Sequence, residues 1–386
     1  MSDDRLALLD LLWPLPDGVG PDVAALSPST WHVIDHCARQ HRLRPLLHAR
    51  AKQCEDWSAP ADITRKWQAV HRRSALRALA QRAELQRIGG LFAQAGLHAT
   101  LLKGGAIVGT GTIDPALRPL RDLDLLLAED DLGPAHRLLL AAGYTGVQAD
   151  FDREAKHLPL LTSPAGVHVE LHGRLIDTPQ TGRAQAEARW RRAAMARSRA
   201  LTTSPVAPTS PTDTLLHIVL HGVLDHRFNN GPLLLVDIAC LTTRTAIDWD
   251  LFWTEADALD ARRACRLALH LAARRGLGGA IVWPHAPESP PSARVLRQAE
   301  TMMLIDLDRI SELGWAGQIA SSARGNRLAR FMAMLGRGFR RSLPDGPARA
   351  ASRWAVIGRI AATYRHASSW RHLTDSLSVS RWLAGP

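Results

Sequence analysis

Carboxylates standing inside short apolar runs constrain this chain more than any other feature. RDLDLLLA (121–128) alternates Asp122 and Asp124 with Leu123 and Leu125, and GVHVELHG (166–173) sets Glu170 in an otherwise apolar run. A two-residue alternation is the mark of a strand. An ordinary sheet does not place acids in such a run, so these acids ask for a purpose.

The segments around them change character within a few residues. HATLLKG (98–104) reads as a strand ending in glycines, GAIVGTGT as one or two helical turns, and residues 130–142 as a helix stopped by Gly143. GYTGVQ and KHLPLLTS are two further strand candidates. Strand, helix, strand, helix and then consecutive strands predicts a small sheet of four or five strands.

The rest is helical in pattern. In TRKWQAVHRRSALRALAQRAELQRIGGLFAQAG the residues Trp67, Val70, Leu76, Leu79, Leu85, Ile88 and Leu91 recur at helical spacings, and Gly96 stands where a C-terminal cap belongs. The pattern returns from about Gly182. LTTSPVAPTSPTD (201–213) reads as a connector and helix start, followed by TLLHIVLHGVLDH, PLLLVDIACLTT, DWDLFWTEADAL and RRACRLALHLAARRG, each of helix length. PHAPESPPSA (284–293) is the next linker, and the remainder is basic amphipathic helix with Trp315, Trp354, Trp370 and Trp382. Four regions follow: 1–95, 96–200, 201–283 and 284–386. The tryptophans read as core rather than as platforms for bases.

Bulk properties remove several classes. No stretch approaches the ~20 apolar residues of a membrane helix, and the proline-broken, acidic N-terminus does not read as a secretory signal. Cys37, Cys54, Cys240 and Cys265 form no CxxC pair and read as buried thiols of a cytoplasmic protein. The net charge of +11 invites an anionic partner. Nearly all of it is arginine, since Lys52, Lys66, Lys103 and Lys156 are the only lysines, so a solvated basic face is the competing reading.

The chemistry concentrates between Lys103 and His172. Asp122 and Asp124 would lie on one strand face about 7 Å apart. Such a pair, with Glu170 as third carboxylate from a neighbouring strand, suits magnesium or manganese, hard cations that keep open positions for phosphates. Gly104-Gly105 follows a strand and can let backbone N–H groups approach a phosphate. It is no Walker A loop, because the GK[ST] ending is missing.

Other residues carry two readings each. Lys103 is either a phosphate contact or a surface lysine at a strand end. Arg118 and Arg121 either clamp a triphosphate or pair with Asp114 or the carboxylates. His172 shares the face of Glu170 and can orient an acid, touch substrate, act as a base or serve structure. His217 and His221, one helical turn apart with Asp225 beyond, read as structural hydrogen bonding ahead of a metal or phosphate site, and Asp237 as the partner of an Arg or His.

The ordered set LLKGGAIVGTGTIDPALRPLRDLDLLL, AAGYTGV and HVELHGRL, with LLHIVLHGVLDH and LVDIACLTT later, resembles the uncharacterised bacterial nucleotidyltransferases of the DNA polymerase beta superfamily. The resemblance covers roughly residues 30–260. It implies an α+β fold, a small mixed sheet of four to five strands forming a nucleotidyltransferase core embedded in a mostly α-helical chain. It further implies metal at Asp122 and Asp124 with Glu170 completing the catalytic site. Lys103, Gly104, Gly105, Arg118, Arg121 and His172 would hold the nucleotide. Two departures stand out: the gap from Gly105 to Asp122 is long, and the third acid is Glu where Asp is usual. The expected reaction is transfer of a nucleoside monophosphate, or a phosphoryl group, from an NTP, foremost ATP. The acceptor would be a small molecule, peptide or protein. The competing expectations are a protein that binds or modifies nucleic acid through its basic C-terminal helices, and a non-catalytic scaffold.

Overall fold

A computed structural model of the chain describes residues 4–12, 26–54, 57–147, 156–177, 181–199, 206–278, 280–284, 289–307 and 367–385. The expected segments around Trp315 and Trp354 lie outside these residues.

Four helices lead into the sheet: α1 (Asp4–Asp10), α2 (Pro28–Gln40), α3 (Arg44–Gln53) and the 34-residue α4 (Ala61–Gln94). Gly96, in the left-handed region at φ 69°, turns the chain out of α4 as its position suggested. The sheet and its helices then alternate: β1 (Ala99–Leu101), α5 (Lys103–Gly109), β2 (Leu123–Leu126), α6 (Glu129–Ala141), β3 (Leu161–Thr162) and β4 (His168–His172). After α7 (Thr181–Arg199) comes β5 (Val206–Pro208). Helices α8 (Pro211–Leu220), α9 (Leu233–Arg244), α10 (Trp249–Ala258), α11 (Arg262–Arg274), α12 (Ala293–Met303) and α13 (Ala367–Ala384) complete the described elements. The chain is thus mostly helical, with one five-stranded mixed sheet, as expected of an α+β fold. No described helix is long and apolar enough to cross a membrane.

The strands lie in the order β3-β4-β2-β1-β5. β1–β2 and β3–β4 are antiparallel, whereas β1–β5 and β2–β4 are parallel. β5 corrects the reading of residues 201–213 as connector and helix start alone: Ala99 pairs with Val206 and Leu101 with Pro208, so three residues of that stretch close one edge of the sheet. The helix start itself is there, with the Ser210 hydroxyl accepting from the Asp213 N–H.

Two cores flank the sheet. Leu123, Leu125, Val169 and Leu171 pack with Ile88 and Phe92 of α4 and Leu132 and Leu139 of α6. Leu126, Leu102 and Ile107 belong to the larger core built from α1–α3, the start of α4 and α7–α12, where Trp31, Trp67 and Trp190 are fully buried. The face expected for α4 is corrected in part. Leu76 and Leu79 are 68% and 64% exposed, while Ser74, Gln81 and Glu84 are buried. Gln81 Nε2 donates to the Leu120 carbonyl and Tyr144 Oη to Glu84, so polar groups on this helix tie down loops that apolar ones could not hold.

Cys37, Cys240 and Cys265 are buried and free, and Cys54 is partly exposed and free. Burial pushes the Cys37 thiol up to about 11 and the Cys240 thiol up to about 12, so both remain protonated at neutral pH. Part of the arginine charge is spent on internal pairs: Arg44 with Asp35, Arg191 with Glu129, Arg197 with Asp213 and Arg275 with Glu300.

Candidate active site

Parallel pairing of β2 with β4 sets Asp124 directly opposite Glu170, and Leu126 opposite His172. The two-residue period therefore gathers Asp124, Glu170 and His172 on the face away from α4 and α6. Their potential ligand atoms all lie within 4.8 Å of one another, and among the described residues this is the one such group of acids, histidines or cysteines. Asp122 stands just before β2, half-buried, one step outside that set.

Each member of the set is held. His172 Nε2 lies 2.8 Å from Asp124 Oδ1 and 3.3 Å from Glu170 Oε2. A carboxylate only accepts, so this nitrogen carries the proton and bridges the two acids. Lys103 Nζ donates to the same Asp124 Oδ1 at 2.6 Å. Lys103 is no surface lysine: its side chain is largely buried, and its backbone sits in the left-handed region at φ 49°, which costs a residue with a side chain about 1–3 kcal/mol. The Leu102 N–H, one residue earlier, donates to the Asp124 carbonyl, so β1 delivers Lys103 to this carboxylate.

Electrostatics separate the three acids. Burial disfavours charge on Asp124, but Lys103 and His172 outweigh it and hold the carboxyl well below the usual range. Burial likewise opposes the ammonium of Lys103, and Asp124 overcomes that and raises it. At Glu170 the hydrogen bond from His172 prevails over burial and over repulsion by Asp124, lowering it. Asp122 is pushed up by burial and then by the charges of Asp124 and Glu170. Asp124 and Glu170 thus stand together at one end of two strands with Asp122 beside them, and the oxygen donors of this set fit a hard divalent cation.

The glycines and arginines take more specific positions than expected. A Cβ on Gly104 would lie 2.0 Å from Arg118 Nη1, and one on Gly105 would lie 2.7 Å from Leu101 Cδ1. Glycine at 104 thus lets the Arg118 guanidinium lie on the backbone, and glycine at 105 lets α5 pack closely on Leu101 of β1. Arg118 forms a two-bond pair with Asp237 of α9, Nε to Oδ1 at 2.9 Å and Nη2 to Oδ2 at 2.6 Å, rather than with Asp114. Asp237 has the arginine partner its sequence setting called for. Arg121 is exposed beside Asp122.

His217 Nε2 contacts the Leu175 carbonyl at 2.8 Å, as a structural histidine would. His221 Nδ1 lies 3.2 Å from Asp225 Oδ2 within a π-helical turn (His221–Asp225), and Lys156 donates to the same Asp225 oxygen. Arg42, in the turn between α2 and α3, was not singled out from the sequence. It lies close enough to Arg121, Arg118 and Asp122 for their charges to act on it directly. Nothing local marks it, apart from its being an arginine where a helix-ending glycine is common.

A family model described as an uncharacterised nucleotidyltransferase matches residues 27–276, well over half of the chain and the whole of the sheet. No curated protein matches the chain.

Proposed function

The chain belongs to that uncharacterised nucleotidyltransferase family and is a transferase, and from this premise we propose that it moves a nucleoside monophosphate from an NTP, ATP foremost, to a hydroxyl of a small-molecule, peptide or protein acceptor. The observation that carries the reading is the pairing of Asp124 with Glu170 across β2 and β4, two acids kept charged beside a third, Asp122. In this reading Asp122, Asp124 and Glu170 hold magnesium or manganese, which when bound neutralises phosphate charge and acidifies a bound hydroxyl.

The chain's own residues supply position and charge. His172 keeps both carboxylates oriented through its Nε2 proton. Lys103, released from Asp124, donates to a phosphate oxygen, and Arg121 lies exposed beside the same acids. Arg118, committed to Asp237, acts as a positioning residue that braces the Gly104 turn. The acceptor oxygen bonds to the α-phosphorus, the bond from that phosphorus to the bridging oxygen breaks, and pyrophosphate leaves. The acceptor proton passes to Glu170. Residues 96–200 carry this chemistry, flanked by 1–95 and 201–283.

Calorimetric titration of ATP, GTP, CTP and UTP, with and without magnesium, tests the reading. Magnesium-dependent binding that disappears in Asp122→Asn/Asp124→Asn supports it. Failure of every triphosphate to bind folded wild type with magnesium present overturns it.

A further inference from the structure

Two guanidinium groups beside the acids pair with no carboxylate among the described residues. Arg42 Nε is buried and has no hydrogen-bond partner among the described residues. Arg121, exposed, uses only its backbone carbonyl, which accepts from Arg77 Nη2. Arg118 is the third guanidinium of the group, and it is neutralised by Asp237. Like charges gathered in a partly buried place call for an anion to relieve them; the carboxylates whose charges reach Arg42 are Asp122 and Asp237, and Asp237 is already engaged by Arg118.

The fold goes to some length to bring Arg42 there. It sits just past α2 at φ 59°, and the Leu43 N–H reaches back to the Ala38 carbonyl across it. Glycine is the usual residue at such a cap, and an arginine there carries backbone strain of about 1–3 kcal/mol. The turn is pinned from below by His41, whose Nδ1 would lie 2.3 Å from a Cβ on Gly231. Gly231 leads into α9, which carries the Asp237 that holds Arg118 against Gly104. The turn that carries Arg42 and the helix that holds Arg118 are thus packed against one another through His41 and Gly231. Burial first, and then the charges of Arg121 and Arg118, bring the Arg42 guanidinium down to about 10.

We propose that Arg42 and Arg121 form a phosphate-binding pair that takes the terminal phosphates of the nucleoside triphosphate, which makes the turn between α2 and α3 part of the nucleotide site. The inference rests on the nucleotidyl-transfer reading for the identity of the ligand, but the phosphate chemistry can be tested apart from it. Phosphate oxygens match the two-pronged donors of arginine, and the unpartnered Arg42 Nε and the exposed Arg121 side chain leave such donors open to them.

Calorimetry with ATP, AMP and inorganic tripolyphosphate on wild type, Arg42→Gln and Arg42→Lys decides the matter, with thermal melts as the folding control. Arg42→Gln is expected to weaken ATP and tripolyphosphate by about 10- to 100-fold while AMP changes little, with Arg42→Lys in between. Equal affinity of folded Arg42→Gln and wild type for both polyphosphates overturns the inference. Should the Gln variant not fold, Arg42→Lys gives the decision: a loss confined to ATP and tripolyphosphate supports the pair, and unchanged binding refutes it. Wild type that binds tripolyphosphate through Arg42 but no nucleotide would sink the nucleotidyl reading and leave the phosphate site standing. Wild type that binds neither would sink both.

Discussion

The two faces of the five-stranded sheet are built by the same strands and do opposite work. On one, Leu123, Leu125, Val169 and Leu171 are closed over by α4 and α6 and are at most 1% exposed. On the other, the alternate residues Asp124, Glu170 and His172 bond to one another, and Lys103 joins them at Asp124. The period of two thus divides stability from chemistry residue by residue, and a change at position 124 or 125 should separate them cleanly.

The largest effect is expected from that neighbouring pair. Asp124→Asn should lower magnesium-dependent release of pyrophosphate from ATP by about 1,000-fold or more. Leu125→Ala should leave that rate per folded molecule nearly unchanged and lower the unfolding free energy by about 2–5 kcal/mol, read from urea unfolding. Similar losses of rate in both variants would break the division. The charged face can also be damaged without touching the acids. Asp237→Ala leaves Arg118 buried without its carboxylate and should cost about 3–5 kcal/mol, and Arg118→Leu/Asp237→Leu should recover much of it.

A smaller effect comes with acid. Burial lowers His41 to about 4 from an ordinary value near 6.5, so between these two pH values the unfolded chain binds the proton and the folded one does not. The contribution is fully present above about 6.5 and is lost as pH falls towards 4, about 3 kcal/mol in all. His217, held well below its ordinary value by burial, adds with the same sign. Urea midpoints from pH 7.5 to 4.5 should fall, and His41→Gln should flatten the slope. The smallest effect belongs to the outer side of α4, where Leu76→Gln should change stability by less than about 0.5 kcal/mol.

The acids were legible because a charge within an apolar alternation has few structural explanations, and the region of resemblance, roughly 30–260, falls within the matched 27–276. β5 was hidden because Val206–Pro208 is three residues long in a Thr/Ser/Pro stretch, and only its distant pairing with β1 makes it a strand. The face of α4 was legible at Trp67 and Ile88 but not between them, where Ser74, Gln81 and Glu84 turn inward in place of Leu76 and Leu79. Arg42 was invisible for a similar reason: one arginine among many acquires meaning only where α2, α9 and the loop before β2 converge. The glycines at 104 and 105 were expected to approach a phosphate; what the structure places against them is Arg118 and Leu101.

The central claim is that carboxylates from β2 and β4 share one divalent cation. Manganese titration followed by electron paramagnetic resonance, with ATP present, tests it on wild type, Asp124→Asn and Glu170→Gln. The account expects a bound manganese signal in wild type that is lost or greatly weakened in each variant. A wild-type signal retained at full affinity in both folded variants would contradict it.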